Sequence, residues 1–188
     1  LEGYKIVQNK NINIFLDLKL HDIPNTVKNG IKAIQYLKPY FTTIHISGGD
    51  QMLEAANIKN KETKILGVSA LTSLDDEQVK KYYLRKNVNE LVSDFTHFAI
   101  ENKLDGIVCS PHEIEIVKNI AGNKMIIVTP GVRPFSDHKK DDQKRIMTPG
   151  EAISLGADYL VIGRPITKSD QPINQIIKIN SEIEQYQN

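Results

Sequence analysis

Two rhythms of apolar residues run through this chain. Six short runs are rich in Ile and Val and close to continuously apolar: Ile12 to Leu18, Thr42 to Ser47, Lys64 to Ser69, Leu104 to Ser110, Lys124 to Thr129 and Asp158 to Gly163. Such runs fit strands covered on both faces in a parallel sheet. Between them, apolar residues recur every three to four positions, the spacing of one helix face. Val27, Ile31, Ile34 and Leu37 form the first stripe, opened by Pro24 and closed by Pro39. Val88, Leu91, Val92, Phe95, Phe98 and Ala99 form the clearest one. Ile173, Ile176, Ile177 and Ile183 form another near the C-terminus. Ile114, Val117 and Ile120 predict a helix of about ten residues. Leu53, Ala55 and Ala56 predict a short one, and Ala152, Ile153 and Leu155 another that ends at Gly156. A helix fragment is expected over Leu1 to Lys10.

Strand and helix thus alternate six times, the order of an α/β fold with a parallel sheet. A repeat of roughly 30 residues favours a (β/α)8 TIM barrel over an open sheet, but that barrel needs eight units and typically ~250 residues. Six units occupy 188 residues, and no linker or low-complexity tract divides them. The expected organisation is a single barrel domain over 1–188, N-terminally incomplete. Composition narrows the function classes. The chain is 40% hydrophobic and 25% charged, as globular domains are, and no apolar run reaches the ~18 residues of a membrane span. A net charge of +1 gives no electrostatic case for nucleic acid or an anionic membrane as partner. One cysteine, Cys109, permits no internal disulfide and points to a reducing, cytoplasmic compartment. The opening Leu1-Glu2-Gly3-Tyr4-Lys5 is not a signal peptide.

Barrel strands end at the active-site face, so polar residues there are candidates for chemistry. The first run ends Asp17-Leu18-Lys19-Leu20-His21-Asp22-Ile23-Pro24-Asn25-Thr26. Asp17 and Lys19 are two apart, so on a strand they share a side, and Asp22 follows just beyond. One reading is an ion pair that merely closes the strand. Burying three charges together costs several kcal/mol per ion, however, which favours a functional site. After the last strand, Gly163-Arg164-Pro165 opens a helix. A Gly and a helix N-terminus can receive an oxyanion, and Arg can add a bidentate hydrogen bond. Alone, the Gly-Arg pair is equally a tight strand-helix turn. Ser136 to Arg145 carries both signs of charge and reads as a long polar loop, either a solvated insertion or a lid. Cys109 and the Tyr82-Tyr83 pair read as packing. His97 and His112 read as surface or satisfied groups, and His21 and His45 as braces or packing near the strand ends. No spacing of His, Cys and Asp resembles a metal site.

The run DLKLHDIPNT resembles the D-x-K-x-x-D-I-P-N-T signature of orotidine 5′-phosphate decarboxylases. Other segments are similar to that family in order along the chain. They are His45-Ile46-Ser47-Gly48-Gly49, Leu71-Thr72-Ser73, Thr129-Pro130-Gly131-Val132-Arg133-Pro134, Asp142-Gln143-Lys144-Arg145-Ile146-Met147-Thr148-Pro149 and Gly156 to Thr167. The resemblance covers essentially the whole chain. It implies that these six strands are strands three to eight of the family's barrel, and that the reaction is decarboxylation of orotidine 5′-monophosphate to UMP and CO2, with no cofactor and no metal. Lys19 would face the reacting carbon and protonate it, with Asp17 holding Lys19. Asp22, Ile23 and Thr26 would reach into a partner's site, which makes a homodimer with shared active sites the expected state. Thr72 and Ser73 would lie at the base, Pro130 would belong to the substrate-binding set, and Arg133, Gln143, Gly163 and Arg164 would lie at the phosphate, with the polar loop closing over it. The family's first strand carries a substrate-binding Asp and its second a Lys, and neither has a counterpart here. The resemblance therefore implies a further N-terminal segment in the natural protein, and impaired activity without it. Two alternatives stand: a Mg2+-dependent sugar-phosphate decarboxylase of the same suprafamily, and a catalytically impaired nucleotide-phosphate binding module.

Overall fold

Each of the six β-branched runs contributes a strand, and the computed structural model describes residues 2–10, 12–58, 62–134 and 147–186. The strands are β1 (Phe15–Leu20), β2 (Phe41–His45), β3 (Lys64–Val68), β4 (Gly106–Val108), β5 (Ile126–Pro130) and β6 (Tyr159–Val161). They form one sheet in the order β1-β2-β3-β4-β5-β6, with every pairing parallel. The helices are α1 (Glu2–Gln8), α2 (Pro24–Gln35), α3 (Asp50–Ala56), α4 (Asp76–Tyr83), α5 (Val88–Glu101), α6 (Ile114–Ala121), α7 (Pro149–Ser154), α8 (Arg164–Thr167) and α9 (Pro172–Tyr186). No helix among the described residues is long and apolar enough to cross a membrane.

Side chains alternate across each strand, so each strand feeds two layers. Ile44, Ile65, Ile107 and Ile127 point outward, are fully buried, and pack with helix residues such as Val27, Ile31, Leu53, Val92 and Val117. Burying side chains of this size stabilises the fold by about 1.5–3 kcal/mol each. Phe41, Leu66 and Val128 point inward and form a second, smaller core with Phe15, Tyr40, Val108 and Ile126. The sheet curls enough that the hydroxyls of Tyr40, before β2, and Tyr159, on β6, come within 3.4 Å. A curled, all-parallel βα sheet is the architecture expected of a barrel, with six strands among the described residues.

Three details depart from the sequence reading. β1 and β6 are the two edges of the sheet and are half open to solvent rather than covered on both faces, because neither has a second strand neighbour among the described residues. The segment before Val88 is a helix of its own, α4, which buries only Val79. It is set by a capping box in which Asp75 and Gln78 satisfy each other's backbone N–H groups. Within it Tyr83 packs edge-on against Phe95 as expected, whereas Tyr82 is 67% exposed.

Candidate active site

All strands run the same way, so the segments that follow them lie along one rim of the sheet. Nearly every residue singled out by the sequence falls on that rim.

At the end of β1, Lys19 Nζ pairs with Asp17 Oδ2. The strand is not regular there. β1 advances from Leu16 to Leu20 while β2 advances only from Thr42 to Ile44, and Lys19 takes a left-handed φ of 48°. The bulge throws the Lys19 N–H out of the ladder. The hydroxyl of Thr43, on β2, accepts it at 2.8 Å and donates to Asp17 Oδ1 at 2.7 Å. The side chains of Lys19 and Asp17 are 44% and 42% exposed, so the buried charge cluster expected from the sequence is a half-open one. β1 is the first strand of the sheet among the described residues.

Asp22, Ile23 and Thr26 follow on the surface. The Asp22 carboxylate accepts from Ile23 N at 2.7 Å, just ahead of α2, where the helix dipole also favours negative charge. Ile23 is 67% exposed. The ring of His21 lies 5.2 Å from that of His45 at the end of β2. His45 is half-buried, and its pKa is lowered by burial first, and then by the nearby His21 and Lys19. Beyond it, Gly48 leaves room for Met52 and His21, since a Cβ would sit 2.2 Å from the Met52 sulfur. Gly49 takes φ 81° and opens α3. The lowered His45 pKa has a consequence for stability. The folded state binds fewer protons than the unfolded chain once pH falls below about 6.5, so stability falls as pH drops toward the folded pKa. Thermal unfolding between pH 7 and 5 is expected to show that loss, and His45→Gln is expected to flatten it. An unchanged slope in the variant would remove His45 as its source.

The ends of β3, β4 and β5 enclose a cleft of about 410 Å³. Thr72 and Pro130 line it, as do Leu71, Gly131 and Met147. Ser73 does not line it, and neither do Asp17 and Lys19. One wall, Ser110 to Glu113, holds no residue that the sequence offers as a site candidate, His112 being read there as a surface or satisfied group. The buried Glu113 carboxylate accepts from Ser110 N at 2.9 Å while the Ser110 side chain caps in return. The Ser-x-x-Glu spacing of Ser110-Pro111-His112-Glu113 was the available signal. The exposed His112 lines the same cleft. Cys109, behind this wall, is buried, and burial with the Glu113 charge pushes its thiol up to about 12, which makes it an inert core residue.

Arg133 is half-buried and its N–H donates to Met147 O at 3.0 Å, tying together the two ends of the polar segment. Gln143 and the expected lid lie outside the described residues. After β6, Gly163 precedes α8 and Arg164 begins it, both exposed. A Cβ on Gly163 would meet nothing within 4 Å. Among the described residues there is no group of three or more His, Cys, Asp or Glu that could hold a metal.

Comparison with known proteins adds to this geometry. Residues 2–179 match the family model described as orotidine 5′-phosphate decarboxylase / HUMPS family. The chain is 42% identical to the orotidine 5′-phosphate decarboxylase of Dictyoglomus thermophilum, over 96% of this chain and 78% of the relative. It is 47% identical to that of Wolbachia sp. subsp. Brugia malayi, over 92% and 76%. The crystal structure of orotidine 5′-phosphate decarboxylase from Lactobacillus acidophilus superposes with a TM-score of 0.81 at 35% identity, over 96% of this chain and 79% of that one.

Proposed function

Since the chain belongs to the orotidine 5′-phosphate decarboxylase family, we propose that the Asp17–Lys19 pair is where it converts orotidine 5′-monophosphate to UMP and CO2. The observation that carries this reading is an ion-paired lysine at the C-terminal end of a sheet strand, inside the run DLKLHDIPNT. Breaking the bond between the pyrimidine ring and its carboxylate leaves an electron pair on the ring carbon. The Lys19 ammonium stabilises that charge as it develops and then donates a proton to it. Solvent returns the proton to Lys19. The balance closes without an electron sink, so the reading needs no cofactor and no metal. Asp17 holds the ammonium in place and presents negative charge toward the substrate carboxylate.

Thr72, Ser73 and Pro130 serve the base. The cleft lined by Thr72 and Pro130 supports this for those two. Arg133, Gln143, Gly163 and Arg164 serve the phosphate. The open space over Gly163 supports room for an oxyanion there, and Arg164 is free to reach it. Asp22, Ile23 and Thr26 complete the site of a second subunit in a homodimer; their exposure, Ile23 above all, supports that role. The six strands correspond to strands three to eight of the family's barrel, a reading supported by the order of the shared segments.

Turnover of orotidine 5′-monophosphate, followed as UMP formed by the protein, tests the function. Activity is expected to survive EDTA, whereas a Mg2+-dependent sugar-phosphate decarboxylase would lose it. In the same assay Arg164→Ala is expected to raise KM about 10–100-fold, the worth of one charge-assisted hydrogen bond of about 1.5–3 kcal/mol. An unchanged KM would take Arg164 out of the phosphate site.

A further inference from the structure

We propose that Thr43 is a positioning residue for this reaction, holding both members of the Asp17–Lys19 pair through one hydroxyl. The inference rests on the reading of that pair given above. Thr43 is 1% exposed, on the strand next to the bulge. Its Oγ1 spends its proton on Asp17 Oδ1 and one lone pair on the Lys19 N–H. Those two bonds do different work. The first leaves the Asp17 carboxylate one oxygen for the Lys19 ammonium, since Oδ1 is engaged by the hydroxyl and Oδ2 by Nζ. The second satisfies the backbone donor that the bulge releases and so stabilises a left-handed residue that is neither Gly nor Asn.

The backbone of the proton donor and the carboxylate that orients it are thus referenced to the same buried atom on a neighbouring strand. Threonine suits the task because its branched Cβ restricts χ1 and limits where the hydroxyl can point. Its neighbour Thr42 is also buried, but its hydroxyl donates to Leu16 O on the regular part of the ladder and touches neither charged group. A purely structural role would be shared by the two threonines, whereas the positioning role belongs to Thr43.

Thr43→Val keeps the shape and removes the hydroxyl. It is expected to lower kcat about 10–100-fold, as loss of one hydrogen bond to a charged group implies, with KM and UMP binding within about threefold of the parent. Thr43→Ser restores the hydroxyl and is expected to recover most of kcat. If Thr43→Val fails to fold, Thr43→Cys replaces it, with a thiol that is a weak donor in the same space. Native kcat in the hydroxyl-free variant, a defect confined to KM, or a Ser variant no better than Val or Cys overturns the proposal. Lys19→Ala is measured alongside. Near-native turnover there would sink the reading of the pair itself, whereas a dead Lys19→Ala beside an unimpaired Thr43→Val rejects Thr43 alone.

Discussion

Lys19→Ala is expected to abolish decarboxylation while UMP still binds with an affinity close to that of the parent. The substitution removes two contributions at once. A positioned proton donor is worth about 10²–10⁴ in rate, and a charge aimed at a developing anion about 10²–10³. The combined loss is expected to be on the order of 10⁴-fold or more, short of full additivity because one ammonium supplies both. Binding should persist because the residues proposed for the phosphate lie on other segments, after β5 and β6. Turnover assays on the protein with calorimetric titration of UMP separate the two quantities. Near-native turnover would sink the assignment, and loss of UMP binding together with turnover would mean that Lys19 supports the nucleotide rather than the reaction.

Mixing two inactive variants should produce activity. Lys19→Ala leaves Asp22 intact, and Asp22→Ala leaves Lys19 intact. If each site of a homodimer takes Lys19 from one subunit and Asp22 from the other, a hybrid holds one site with both residues and one with neither. Random exchange of equal amounts makes about half the dimers hybrids, so about a quarter of parental activity should return. Neither variant alone should approach that value. Exchange is verified with a tag on one variant, and no recovery in verified hybrids would place Asp22 in the site of its own subunit. The observation behind this expectation is local: Asp22 and Ile23 stand on the surface just past the ion pair, and the only bond made by the Asp22 carboxylate among the described residues is to the adjacent Ile23 N–H.

Much of this architecture is legible in the pattern of residues because burial writes it there. Ile44, Ile65, Ile107 and Ile127 mark the strands, Val27, Ile31 and Ile34 mark α2, and both sets are buried. The charged run at the end of β1 is legible because acid, base and acid seldom crowd one strand end without cause. The bulge at Lys19 is a different kind of fact. Lysine has no preference for a left-handed φ, and the register shift belongs to the pairing of β1 with β2 rather than to either run alone. The same holds for Thr43: in Thr42-Thr43-Ile44-His45 it looks like an ordinary strand threonine until its neighbour strand is placed. α4 leaves little apolar pattern because it buries one residue, although Asp75 and Gln78 carry its cap.

The backbone bond from Arg133 to Met147 reaches beyond the site. It fixes the departure and return of the intervening stretch one hydrogen bond apart, so the rest of the fold experiences that stretch as a closed ring. For a ring, doubling the length costs only about 0.6 kcal/mol of closure entropy. Insertions and deletions between those two residues can therefore accumulate without shifting the register of β5 against β6.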